Sequence, residues 1–441
     1  MNAHSTDRMT RVWQSTMGGW ILRPWFDAVA VRAMTRLYFP VSRAWATAAA
    51  GKGISYAAER TRTMQAAYAD AEHHWRDAFF GGKEISQEAL RTAQSARQKA
   101  ALRFMAARAP YLASILADKG PAVAFDVADE DAVRQRHAVR LENTATAFAW
   151  PDTLPTVTAS AVLISAHEKT SWIRFASPDP SLVSDVWARV REPVDQPVRA
   201  TLILAHGVTQ EDEMWGGETV NLSPLIDAGY RIIQPDGPWH ARRRLDGYFG
   251  GEPVFARGVM GVLDYFHLHV REIGRLTAWA HETADGPVAI GGISLGALTT
   301  QLTASVSVHW PSEMQADALM LIVPSPSMID VLYDGSLTSR LTVPQVLAEK
   351  GWTRDTLECW RPLREPTDTT VMAPDRIVMV LGSADDVTPF ATGKELAERW
   401  RVSAENMFVR RQGHFSATFG LSRDPAPLQR LIHMAKDFET T

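Results

Sequence analysis

The apolar positions of this 441-residue chain fall into two textures. Through about residue 120 they recur at helical spacing. In "EISQEALRTAQSARQKAALRFMAARAPYLASIL" the apolar positions Leu90, Ala93, Ala101, Phe104 and Met105 recur at roughly helical spacing, among Ala, Gln and Arg, all good helix formers. Ser86 is placed to cap the start of that helix. The earlier run "DAVAVRAMTRLYFPVSRAWATAAA" also reads as helix, with Arg32, Arg36 and Arg43 among apolar residues and Pro40 expected to break it in two. Gly81-Gly82 reads as a hinge between helical segments.

From about residue 155 short β-branched runs alternate with helical stretches. "TASAVLIS" and "SWIRFAS" read as two early strands. "ATLILAHG" (200–207), "YRIIQPDGP" (230–238), "VAIGGIS" (288–294), "DALMLIVPS" (317–325), "RIVMVLGSADD" (376–386) and "NMFVRRQGHFS" (406–416) follow, with a long helical reading through "GVMGVLDYFHLHVREIGRLTAWAHE". Continuous apolar strands separated by helices predict an α/β fold whose mainly parallel sheet is covered on both faces. Residues 326–372 interrupt this rhythm with several short helical readings and are expected to form a lid or cap. The organisation expected is an N-terminal helical, basic extension over 1–125 and an α/β domain over 126–441.

Charge sharpens that division. Residues 1–120 carry 17 Lys and Arg against 9 Asp and Glu, and the remaining residues carry 29 against 41, so a net −4 hides a basic arm and an acidic body. With 46% hydrophobic and 22% charged residues the chain can bury a large core. Its one cysteine, Cys359, rules out an intrachain disulfide and a CxxC metal site. No apolar run approaches the 18 residues or so of a spanning helix, and the N-terminus lacks a clean signal-peptide core. A cytoplasmic location is the expectation.

The chemistry concentrates where strands end. Gly292-Ile293-Ser294-Leu295-Gly296 fits G-x-S-x-G between an apolar strand and a helix. Such a turn holds a serine in strained backbone geometry and lifts its hydroxyl above the sheet, while the glycines remove Cβ crowding. The helix that follows directs its N-terminus at developing negative charge. A lone serine is a weak nucleophile and needs a base, and the base needs an orienting acid. Asp385 follows a strand in "VLGSADDVTPF", with Asp386 as its competitor, and His414 follows the last strand in "VRRQGHFSATFG". Adjacent aspartates are also common turn residues, and a late histidine is commonly a surface residue. The conjunction of three such groups at strand ends is what favours Ser294 as nucleophile, His414 as base and Asp385 as orienter. A free imidazole titrates near pH 6.5, so activity is expected to fall in acid. The N–H groups of Leu295 and Val208 are the expected oxyanion donors, Val208 lying after the strand that ends in His206-Gly207.

Together "AHGV", "GGISLG", "GSADDVTP" and "QGHFS" resemble the α/β-hydrolase superfamily, over about residues 155–435. "QPDGPWHARRR" also resembles that family's Asp-x-x-Gly-His stretch, with different spacing. The resemblance implies an α/β-hydrolase fold with a sheet of about eight strands and a cofactor-free serine hydrolase, esterase-like. It implies no particular substrate, since the fold hosts esterases, lipases, peptidases, thioesterases and acyltransferases. A carboxylesterase acting on a small-molecule ester is the first reading. An acyltransferase, thioesterase or amidase using the same three residues is the second. A non-catalytic binding module on the same fold is the third.

Other features have two readings each. Arg242, Arg243 and Arg244 could contact an acidic substrate, or form a solvated cluster paired with Asp246 and Glu252. Glu211-Asp212-Glu213 has no identifiable metal-binding partners and reads as a solvated loop, and the spacing of His73-His74 is poor for ligands on one helix face, so no metal is expected. His206 precedes the serine and is expected to pack or hydrogen-bond beneath its loop. Trp13, Trp20, Trp25, Trp45 and Trp75 lie in the basic arm. They favour packing on the acidic body or a homo-oligomer contact through the N-terminal helices over a membrane surface. No nucleic-acid motif accompanies the charge.

Overall fold

The computed structural model describes residues 10–82, 84–118, 120–150, 153–209, 211 and 220–439. Asp212 and Glu213 lie outside the described residues. Among the described residues ten strands form one sheet: β1 Thr158–Ala159, β2 Leu163–Ile164, β3 Glu168–Phe175, β4 Val186–Pro193, β5 Ala200–Ala205, β6 Tyr230–Pro235, β7 Val288–Ile293, β8 Ala318–Ile322, β9 Ile377–Gly382 and β10 Met407–Arg410. The order is β1-β3-β4-β6-β5-β7-β8-β9-β10, with β2 also on β3. β6 through β10 run parallel, while β1 to β4 are joined by antiparallel ladders that end on β6. Every residue of β5, β7, β8 and β9 is buried, which is why these segments read as unbroken apolar runs.

β4 had no such signature. Its sequence VWARVREP carries Arg189, Arg191 and Glu192. Neighbouring strands take up these groups: Arg191 pairs with Glu168 on β3, Glu192 pairs with Arg231 on β6, and Arg189 donates to the amide oxygen of Gln234 on β6. Charge that is paired across a ladder leaves a buried strand looking like a loop.

One face of the sheet is covered by the helices Gly258–Thr283, Leu295–Val306 and Phe390–Arg399, the other by Ser223–Asp227 and Ala426–Glu439. The 26-residue helix Gly258–Thr283 is buried almost all the way round. A helix buried on all sides needs cover on all sides, and part of that cover comes from the helix Glu130–Glu142, whose Arg136 and His137 meet Asp264. The N-terminal helices are Thr16–Ile21, Pro24–Ala33, Phe39–Ala49, Tyr56–Phe80, Gln87–Ala106, Tyr111–Ala117 and Glu130–Glu142. Ser86 does cap its helix, accepting from the Ala89 N–H.

Pro40 does not break the run it interrupts. Met34–Tyr38 widens to a π-helix, the Phe39 N–H reaches back to the Met34 carbonyl, and Pro40 sits at the second position of Phe39–Ala49. The wider turn removes the clash between the proline ring and the preceding carbonyls without ending the helix.

The arginine triplet overturns both of its expected readings. It is neither solvated nor aimed at a substrate, and it does not pair with Asp246 or Glu252. Arg243 makes a two-pronged pair with Glu272 at 2.6 and 2.9 Å, both side chains fully buried. Arg242 bonds Glu72 and lies 4.8 Å from the Trp75 ring centre. Arg244 lies 4.6 Å from the Trp45 ring and 3.6 Å from Glu211. Glu252 pairs instead with Arg43 at 2.8 Å, and Glu211 with Arg108 at 2.6 Å. Arg242 and Arg244 bolt the N-terminal helices to the sheet layer, while Arg243 ties the same loop to the helix Gly258–Thr283. Trp45 and Trp75 are buried inside that joint, and Trp75 meets Trp172 of β3 and Trp187 of β4. Trp13 stacks on Phe419, whereas Trp20 and Trp25 are exposed. His73 and His74 lie on the surface, bonded to Asp77 and to the Asp70 carbonyl.

Candidate active site

Ser294 stands where β7 turns into the helix Leu295–Val306, with φ 54° and ψ −117°. Positive φ in a residue with a Cβ costs on the order of 1–3 kcal/mol and persists only where surroundings enforce it. Here they do. The Ser294 N–H donates to the Ile322 carbonyl, and the Leu298 N–H closes the first helical turn onto the Ser294 carbonyl. The turn is tight enough that a Cβ on Gly292 would sit 2.1 Å from Gly296, and one on Gly296 would sit 2.2 Å from the Ala205 carbonyl oxygen. Both positions therefore exclude any side chain.

His414 opens the helix His414–Phe419 just after β10. Its Nε2 lies 2.9 Å from Ser294 Oγ and its Nδ1 lies 2.8 Å from Asp385 Oδ2. Asp385 is held in turn: the N–H groups of Val387 and Thr388 donate to Oδ1 at 2.9 and 3.0 Å, and the Thr388 hydroxyl lies 2.9 Å from Oδ2. This leaves Oδ2 facing Nδ1, so the neutral ring carries its proton on Nδ1 and presents a bare Nε2 to the serine. Asp386 points elsewhere, accepting from the Ser336 hydroxyl at 2.8 Å.

Thr388 was not anticipated from the sequence. Its hydroxyl lies within reach of Asp385, His414 Nδ1 and the Val323 carbonyl, at 2.9, 3.1 and 3.0 Å. The only available signal was its place three residues after an aspartate in a turn, a position from which such residues commonly bond one another.

The loop after β5 passes beside the serine. A Cβ on Gly207 would lie 3.6 Å from Ser294 Cβ, and Val208 lines the cavity above it. His206 braces the loop from below. Its Nδ1 lies 2.7 Å from the Gly207 carbonyl, and its Nε2 accepts the Gly237 N–H at 2.9 Å. Burial pushes its pKa down to about 4, with the positive charge of Arg243 adding to the shift. His206 is therefore neutral and committed, and unsuited to act as base. Leu295, the first residue of the elbow helix, has its N–H among those that an α-helix leaves without an internal acceptor.

Above these groups lies a cavity of about 830 Å³ that reaches Ser294 and His414. Its roof comes from the N-terminal helices through Phe26, Met34, Leu37, Leu102, Met105 and Leu112. The segment 326–372, expected as lid, contributes only Leu337 to this cavity. It forms instead one wall of a second space of about 50 Å³ on the other side of Ser294, with Met328 and Leu332. Among the described residues no group of three or more His, Cys, Asp or Glu could hold a metal ion, and no helix is long and apolar enough to cross a membrane.

No family model matches this sequence, and no curated protein matches it. Solved structures do resemble it in outline. Acetyl xylan esterase 1 from Thermoanaerobacterium sp. JW/SL YS485 is 14% identical over 66% of this chain and 94% of its own, with a TM-score of 0.45. The acetyl xylan esterase from Paenibacillus sp. R4 is 12% identical over 70% and 96%, with a TM-score of 0.48. Brefeldin A esterase, a bacterial homologue of human hormone-sensitive lipase, is 13% identical over 72% and 88%, with a TM-score of 0.41. The fold assignment rests on the chain's own topology: a parallel β6-β5-β7-β8-β9-β10 order entered through antiparallel strands, with a serine elbow at the end of the central β7. By that architecture the chain has an α/β-hydrolase fold.

Proposed function

We propose that this protein hydrolyses carboxylic esters bearing an apolar chain, through an acyl-enzyme on Ser294. The observation that carries this reading is the unbroken hydrogen-bonded line Ser294–His414–Asp385 opening into a large apolar cavity. His414 Nε2 takes the hydroxyl proton as Ser294 Oγ attacks the ester carbonyl. Asp385 holds the ring and stabilises the imidazolium that results. The N–H groups of Leu295 and Val208 receive the oxyanion. The tetrahedral adduct collapses, the C–O bond to the alcohol breaks, and His414 returns its proton to the departing oxygen. Water then repeats the sequence, with His414 as base, and releases the acid.

The cavity volume lies toward the upper end of pockets that enclose small organic ligands, and its walls are mostly aliphatic and aromatic. Each buried methylene contributes roughly 0.8 kcal/mol, or about a fourfold change. The kcat/KM for p-nitrophenyl esters is therefore expected to climb by up to about fourfold per methylene from acetate until the cavity is filled. Release of p-nitrophenol should show a burst equal to the enzyme present, and Ser294→Ala should abolish it. A burst that survives Ser294→Ala would remove the acyl-enzyme reading, and a flat chain-length series would remove the assigned role of the cavity.

A further inference from the structure

The helix that opens with His414 has no cap of its own. The residue before it, Gly413, has no side chain with which to accept the free N–H groups at the helix start. Asp27 does so from the N-terminal helix Pro24–Ala33, nearly four hundred positions away. Its Oδ1 accepts the Phe415 N–H at 2.6 Å and the Ser416 N–H at 3.0 Å, and its Oδ2 accepts the Ser416 hydroxyl. The Ser416 hydroxyl oxygen in turn accepts the Gly413 N–H at 2.9 Å. One buried carboxylate thus ties down the residues on both sides of His414. Asp27 is 2% exposed. Contact is so close that a Cβ on Gly413 would lie 2.5 Å from the Asp27 carboxyl carbon. The surrounding segment is docked along that helix and the chain leading into it: Gln412 Nε2 donates to the Leu22 carbonyl, and Phe26 and Trp13 pack on Phe419.

We infer that Asp27 is a positioning residue for the reaction, acting through His414, so that the N-terminal helices complete the catalytic apparatus as well as roofing it. The physical reason is that His414 must meet two partners at once, Ser294 at 2.9 Å and Asp385 at 2.8 Å. Both contacts depend on where the backbone of residues 413–416 sits. A ring displaced by about 1 Å loses one or both, and misplacements of that size cost on the order of a hundredfold in rate. A carboxylate suits the position, since it accepts several hydrogen bonds at once and its charge is favoured at a helix start.

This inference rests on Ser294 and His414 acting as proposed, and the experiment separates the two. Wild type, Asp27→Ala, Asp27→Asn and Ser294→Ala are compared for the rate of Ser294 labelling by a fluorophosphonate and for kcat and KM on a p-nitrophenyl ester, across pH. Asp27→Ala is expected to slow both labelling and kcat by at least about tenfold with KM within about twofold. The acid limb of its pH profile should move to lower pH, because an imidazolium less well held by Asp385 forms less readily. Asp27→Asn, which keeps an acceptor for the two N–H groups, should recover most of the loss. Labelling, kcat and pH profile of Asp27→Ala all within about twofold of wild type, whatever its melting temperature, would overturn the inference and leave the reading of the site intact. A wild type that neither labels nor turns over would overturn both. Should Asp27→Ala fail to fold, Gly413→Ala decides: it displaces the same carboxylate from the other side, and unchanged labelling there counts against Asp27.

Discussion

The candidate active-site cleft has two walls, and they are built on different scales. The sheet wall comprises the elbow, the Asp385 turn and the loop after β5. Its essential geometry is enforced by residues within a few positions of each other: Gly292 and Gly296 around Ser294, Val387 and Thr388 around Asp385. The helix wall is made by partners far apart in the chain, such as Asp27 with Ser416, Arg43 with Glu252 and Arg108 with Glu211. A local constraint narrows the residue type at each position and leaves a motif. A long-range pair constrains only the sum of two distant choices, and shows in the sequence as no more than a basic arm and an acidic body.

The sharpest way to probe the local wall is the aspartate pair. Asp385→Asn should lower kcat by about 10³- to 10⁴-fold, as expected when the imidazole loses its orienting carboxylate. Asp386→Asn, which touches only the Ser336 hydroxyl, should change kcat by less than about threefold. Equal effects at the two positions would dissolve the distinction that the geometry draws.

The loop that receives the N-terminal helices is tested next through its deepest ion pair, which ties Arg243 to the helix Gly258–Thr283. Glu272→Ala leaves Arg243 buried without its bidentate partner, and breaking such a pair costs about 3–5 kcal/mol. Denaturant unfolding should register that loss, and a loss under 1 kcal/mol would show that Arg243 finds other acceptors.

Acid should loosen the same joint. Burial favours the neutral form of Glu72, but Arg242 and Arg97 more than offset it and hold the pKa at about 2, against 4.5 for a free glutamate. The carboxylate thus adds stability that is complete above about pH 4.5 and is lost as pH falls toward 2. The shift corresponds to at most about 3 kcal/mol. His206, pushed down to about 4, works in the same direction from a higher pH. The folded state resists its protonation, so its contribution is lost between about pH 6.5 and 4. Melting temperature measured against pH should therefore decline in two stages, and Glu72→Gln should flatten the lower one.

The smallest effect belongs to the roof. Met105→Trp narrows the cavity from the helix side and should lower kcat/KM for decanoate esters by several-fold while leaving acetate within about twofold. Parallel loss on both esters would mean that the substitution disturbs the site and not its depth.

These contrasts also explain what could be read from the sequence. Strands β5, β7, β8 and β9 were legible because burial on both faces demands unbroken apolar runs, whereas β10 and the long helix after β6 showed only through short β-branched and helical patterning. Ser294, Asp385 and His414 stood out because strand ends and glycine spacing mark them. β4 was missed, since its charges are taken up by neighbours that the linear pattern does not reveal. Arg242, Arg243 and Arg244 looked solvated for the same reason. Asp27 carried no signal at all: an aspartate in the first turn of a helix is ordinary, and its partner lies 389 positions away.

That separation has a consequence for how the molecule comes to life. Contacts of such span are entropically slow to form. During synthesis the Pro24–Ala33 helix must wait for the nearly four hundred residues that separate it from His414–Phe419. The two segments then close on each other like a clasp, so excising Pro24–Ala33 should disarm the site, and competence should appear only once His414–Phe419 docks.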